Sequence, residues 1–152
     1  MRQTYLILAR IIAVLVVIQA MTMVFAVAGF FTWIDDGGSA DSSTLKEGSF
    51  PSFTGDVGFM VHGISGGMII PLAALLLLIF SFFAKVPRGV LLGVVVVVST
   101  AVQYFAGFMA HDLPAIGLVH GLNAFVLFGA AIAAAQAAKN AGVAQAAPAP
   151  TA

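Results

Sequence analysis

Two short stretches carry the same pattern, Val61-His62-Gly63-Ile64-Ser65-Gly66 and Val119-His120-Gly121-Leu122-Asn123-Ala124. Each places a histidine a few residues inside a long apolar run. Imidazole is the commonest metal-ligating side chain. Two of them at similar depth on two helices could supply both axial ligands of one haem iron. A flat macrocycle between helices needs bare backbone, which Gly63, Gly66, Gly67 and Gly121 would offer. Ser65 and Asn123 each lie three residues after a histidine and share its helix face, so they point into the bundle or bond to another helix. Gln103 lies at a similar depth and could contact a haem edge, a quinone or a neighbouring helix. The bland alternative for every one of these polar groups is a hydrogen bond across a helix bundle. A metal held without porphyrin fits less well. His111 and His120 are nine residues apart, over about 10 Å in depth on straight helices.

Composition dictates which elements must hold these residues. The chain has 152 residues, 61% hydrophobic and 8% charged, with zero net charge and a mean hydropathy of +1.10. So short a chain cannot hide that much apolar surface in a core, so lipid is the expected solvent. The basic residues form no run, which argues against nucleic acid. With no cysteine, disulfides, cysteine-ligated clusters and thioether-attached haem are excluded. Four charge-free runs, 11–34, 57–84, 89–110 and 113–138, each exceed the roughly 20 residues that a membrane helix needs. The expected spans are about 8–34, 57–84, 89–110 and 113–138, with an outer loop over 35–56, one membrane domain over 1–139 and a disordered Ala/Pro tail over 140–152. The first run is too long for a signal-peptide core of about 7–15 residues, so it is expected to remain as a helix.

Arg2, Arg10, Lys85, Arg88 and Lys139 fall on one side of four alternating helices, and only Lys46 on the other. The excess of basic residues puts both termini in the cytoplasm. Trp33 then belongs to the outer interfacial belt, and Phe50 and Phe53 are expected at the bilayer surface. The fold class expected is all-α integral membrane, a four-transmembrane-helix up-down-up-down bundle. Asp56 and Asp112 stand before apolar runs as N-caps, which sets His62 and His120 at depths of roughly 9 and 12 Å. A two-fold axis along the membrane normal would bring the two histidines face to face. Pro71 is expected to kink the second helix. No matching break stands in the fourth helix and no carboxylate lies within a span, which argues against a proton-coupled transporter.

Four spans, with His-Gly opening the second and His opening the fourth, resemble an uncharacterised family of small four-helix bacterial membrane proteins. They are also similar to one four-helix half of haem A synthase, over roughly Gly58 to Lys139. The resemblance implies that His62 and His120 are haem ligands. The synthase pattern has a glutamate three residues before the first histidine and a basic group nearby, where this chain has Phe59 and Gly63. The resemblance therefore implies haem ligation without the oxidative chemistry. The functional expectation is a small b-type cytochrome-like protein of the bacterial plasma membrane. It would bind one haem b through His62 and His120 and pass electrons in or beside the respiratory chain, to or from a quinone or a larger complex. The alternative is a haem-free accessory subunit of a larger membrane complex. Neither expectation makes the chain an enzyme.

Overall fold

A charge-free run in an apolar medium must satisfy its backbone within its own segment, and helices do this. The structure, a computed structural model, describes residues 1–40 and 51–146. Helix α1 covers Arg2–Asp35. The second rod is built from α2 (Val57–Ile64), a π-helical turn (Ser65–Ile69) and α3 (Ile70–Ser81). Helices α4 (Gly89–Met109) and α5 (Ile116–Ala146) complete the set. All four rods are long and apolar enough to cross a membrane, and no strand occurs among the described residues.

Several boundaries differ from expectation, each for a local reason. Helix α1 starts at Arg2, because the buried Tyr5 anchors the first turn by donating its hydroxyl to the Gly89 carbonyl at 3.0 Å. The second rod ends at Ser81, where the chain turns through left-handed Lys85 and Arg88. Asp56 does cap α2, its carboxylate accepting the Val57 N–H. Asp112 does not cap α5. It sits in a turn, and Leu113, Pro114 and Ala115 separate it from the first helical residue, Ile116. Helix α5 also runs on to Ala146, through the first part of the expected irregular tail. Alanine is the best helix former, and Arg2 donates to the Ala141 carbonyl at 3.5 Å, holding that end to the bundle. The expectations for Lys46, Phe50 and 147–152 fall outside the described residues.

The rods form a ring in the order α1, second rod, α4, α5, with neighbours packed and diagonal pairs well apart. Cross-helix pairs establish antiparallel neighbours. Gly58 meets Ala26 while Gly66 meets Gln19, and His120 meets Gln103 while Asn123 meets Ser99. Arg2 beside Ala141 puts both ends of the helical chain at one pole, with Lys85 and Arg88 near it. Asp35, Asp36, Asp56 and Asp112 mark the other pole. The buried core is uneven between these poles. Tyr5, Ala9, Ile12, Leu77, Val96, Leu127, Ala131 and Ala134 pack tightly in the basic half. The acidic half is looser, and small side chains such as Ala26 and Ala106 supply most of its burial. Over its rim Phe53 lies against Phe30, Trp33 and Phe59, with ring centroids 5.7 to 6.3 Å apart. Large apolar side chains cover the outside of the bundle; Leu118 is 78% exposed and Phe125 76%.

Candidate functional site

In the acidic half, His62 of the second rod and His120 of α5 approach each other across the diagonal of the ring. Their ring centroids are 6.2 Å apart and their planes are inclined at 48°. The starts of the two helices explain the match in depth. His62 is the sixth residue from Val57 and His120 the fifth from Ile116. The late start of α5 therefore brings the depths closer than a cap at Asp112 would.

Each imidazole is held by the helix that forms a hairpin with its own. Nδ1 of His62 lies 3.1 Å from the main-chain carbonyl oxygen of Gln19 on α1. Nδ1 of His120 lies 2.9 Å from that of Gln103 on α4. A carbonyl oxygen can only accept, so both rings carry their proton on Nδ1 in these contacts. In a neutral imidazole this leaves the Nε2 lone pair unprotonated, which is the tautomer that ligates metal through Nε2.

The same two glutamines lock the next turn through their side chains. Gln19 Nε2 donates to the His62 carbonyl at 3.1 Å and to the Ser65 hydroxyl. Ser65 passes its own proton to the Val61 carbonyl at 2.5 Å. In the second hairpin the roles reverse. Asn123 Nδ2 donates to Gln103 Oε1 at 2.7 Å and to the Ser99 carbonyl at 2.8 Å. The two hairpins thus repeat one unit, a glutamine whose carbonyl holds a histidine and whose amide pairs with the polar residue three places after it. No buried side-chain nitrogen or oxygen among the described residues lacks a partner. Such closure matters in an apolar bundle, where a buried unpaired polar group costs about 1–3 kcal/mol.

Two glycines make the close approach possible. A Cβ on Gly66 would stand 2.9 Å from Gln19 Oε1, and one on Gly107 would stand 2.9 Å from Nδ1 and Cε1 of His120. The π-helical turn begins at Ser65, directly after the histidine turn, and Ile70 N–H donates to the Ser65 carbonyl. Pro71 follows it, and a proline can neither donate to the preceding turn nor tolerate its carbonyl at α spacing. The expected kink is thus met by widening one turn, a device that recurs at functional sites. Gln19 supplies its extra donor to the His62 carbonyl just where the ladder changes register.

Gly63 and Gly121, the residues after the two histidines, are exposed, with nothing within 4 Å of a Cβ built on them. Gly67 faces the Tyr104 ring at 3.8 Å. His111 is exposed in the turn after α4, and Lys46 lies outside the described residues. The parts of this site not expected from sequence are the carbonyls of Gln19 and Gln103, the pairing of Gln19 with Ser65, and Gly107. Two mid-span glutamines, one on the partner helix of each histidine, were the available signal.

Chemically the arrangement suits a shared metal centre. Two imidazoles bound to one ion through bonds of about 2 Å hold their facing nitrogens about 4 Å apart, and so their centroids about 6 Å apart. No group of three or more His, Cys, Asp or Glu able to hold a bare metal ion occurs among the described residues. A porphyrin supplies four further ligands and needs only two from the protein. The two histidines, with Nδ1 held and rings 6.2 Å apart, meet that requirement, whereas Gly63 and Gly121 stand exposed with open space around them. His111 is the only basic side chain described near that pole for a propionate. The chain matches no protein-family model, no curated protein and no solved structure.

Proposed function

We propose that the protein is a small b-type cytochrome-like membrane protein that binds one haem b through His62 and His120 and passes electrons. The observation that carries this reading is the pair of Nδ1 contacts to main-chain carbonyls, with the two rings 6.2 Å apart. An interhelical hydrogen bond would already be satisfied by the Nδ1 contact alone. Two copies of that contact on diagonal helices leave each Nε2 lone pair unprotonated in rings 6.2 Å apart, which supports a shared iron. Haem iron with both axial positions filled by imidazole exchanges single electrons and has no open position for oxygen. The chain's own part is to fix tautomer and ring plane through Gln19 and Gln103, and to surround the site with apolar side chains.

The four rods would cross a bacterial plasma membrane with the basic pole in the cytoplasm. The apolar exterior and the segregation of Lys and Arg support this placement. His62 and His120 then lie toward the outer leaflet, and the electron partner is a membrane quinol or a neighbouring respiratory subunit. A haem-free accessory subunit is the second reading, favoured by the exposed Gly121 and Gly129, which leave backbone open to another helix. The test is the haem and iron content of protein purified from haem-replete cells, with an electron paramagnetic resonance spectrum of the oxidised form. The expected result is one protohaem per chain and a low-spin ferric signal. Well-folded protein with no haem leaves the accessory reading.

A further inference from the structure

The separation of the two imidazoles restricts the kind of ion they can share. An ion bonded to both Nε2 atoms at about 2 Å stands roughly 3 Å from each ring centroid. Centroids 6.2 Å apart then require bonds that point nearly opposite ways. The tetrahedral angle that zinc adopts would bring the centroids to about 5 Å. Opposed bonds suit an ion with further ligands around its waist, as in a porphyrin, or an ion content with two ligands. Among the described residues no group of three or more His, Cys, Asp or Glu could complete a wider set around a bare metal.

We propose that in the haem-free chain His62 and His120 bind one Cu(I) ion as its two ligands, without porphyrin. This site goes beyond the haem reading and does not rest on it, since the same two nitrogens cannot serve both groups at once. Cu(I) is a filled-shell ion that accepts two opposed nitrogen ligands, and imidazole suits copper. Both rings are prepared for it. Nδ1 of His62 is held at 3.1 Å by the Gln19 carbonyl and that of His120 at 2.9 Å by the Gln103 carbonyl. Each contact turns Nε2 away from the flanking helix, leaves its lone pair unprotonated and raises its basicity. Binding through these atoms displaces no proton.

Charge selects the oxidation state. Both ligands are neutral, and the described helices carry no Asp or Glu apart from Asp35, the last residue of α1. The charge of a bare ion is therefore uncompensated in an apolar bundle. The Born cost of such a charge grows with its square, so a monovalent ion costs about a quarter of what a divalent one does. That sets Cu(I) ahead of Zn(II) and Cu(II). Both rings are half-buried and lie outside the tightly packed basic half, so an ion reaches them without opening that core.

The test uses the full chain, produced in cells unable to make haem and purified in detergent under argon. It is titrated with Cu(I) in competition with bicinchoninate, and the loaded protein is taken to X-ray absorption at the copper edge. One Cu(I) per chain is expected, with two imidazole scatterers at about 2 Å or less and the near-edge feature of a linear ion. About a tenfold excess of Zn(II) is expected not to displace it. His62→Asn and His120→Asn each remove one ligand, so each is expected to weaken binding by more than the 10–100-fold typical for losing a group that only orients a metal-bound histidine. His111→Asn, outside the pair, is expected to bind as the wild type does. Should either ligand variant lose its helical circular dichroism, the absorption spectrum of the wild type still counts the imidazoles. No Cu(I) held against bicinchoninate, a site of three or four ligands, or binding unchanged in both ligand variants overturns the proposal, and the pair then shares a water molecule instead. Haem-loaded protein is expected to take no Cu(I), and simultaneous binding of both also overturns it. Coloured protein from haem-replete cells whose haem-free form takes no Cu(I) keeps the haem reading and removes this one. Colourless protein that binds Cu(I) linearly does the reverse.

Discussion

Replacing Gly107 with alanine tests whether the α4 backbone positions His120. The new methyl would stand 2.9 Å from Nδ1 and Cε1, about half an ångström inside ordinary contact. Backbone on both helices is packed, so the imidazole must give way, and its 2.9 Å bond to the Gln103 carbonyl must lengthen or tilt. Loss of an outer-shell partner of a metal-bound histidine typically costs 10–100-fold in affinity, which is about 1.4–2.8 kcal/mol. Helix propensity pushes the opposite way, since Gly→Ala in a helix interior gains about 0.5–1 kcal/mol. The two effects separate in two assays. Haem loss to excess apomyoglobin is expected to accelerate 10–100-fold in Gly107→Ala. Gly129→Ala, where a Cβ meets nothing, is expected to keep its haem and gain slightly in thermal stability. If Gly107→Ala retains haem as firmly as the wild type and is simply more stable, the argument that this glycine sets the ring position is refuted.

Other outcomes follow from the same contacts. Asn123→Leu leaves Gln103 Oε1 without its donor and is expected to cost about 1–3 kcal/mol in detergent unfolding. Adding Gln103→Leu should recover part of that loss, and strictly additive losses would contradict the pairing. Deleting Met68, an exposed residue of the π-helical turn, is expected to leave an α-helical turn with His62 still in register, so haem content is retained. Deleting Ala124 from regular helix instead rotates His120 by about 100° relative to the rest of α5 and is expected to abolish it. Equal haem content in the two deletions would show that the π-helical turn does not absorb the change.

The four rods were legible because charge-free runs longer than 20 residues leave little choice of structure. The ends were less so: Tyr5 and Arg2 extend helices by contacts with distant parts of the chain, which no local signal announces. The histidine pair was legible because its neighbours repeat. The groups that hold its two rings were not. A helix apolar on all sides has no amphipathic stripe to show which face turns inward, and one residue of drift turns a side chain by about 100°. Gln19 and Gln103 could be noticed as mid-span amides, but their use of a main-chain carbonyl for the histidine and a side chain for Ser65 or Asn123 requires the helix rotations. Gly107 carries no signal of its own; it matters only because His120 lies against it.

The most direct test of the account is the absorption spectrum of the detergent-purified protein, air-oxidised and then reduced with dithionite, beside His62→Ala and His120→Ala. The account predicts a sharp reduced α-band in the wild type that is absent from both variants, each variant remaining helical by circular dichroism. A spectrum without haem bands, or an α-band that survives loss of either histidine, would contradict it.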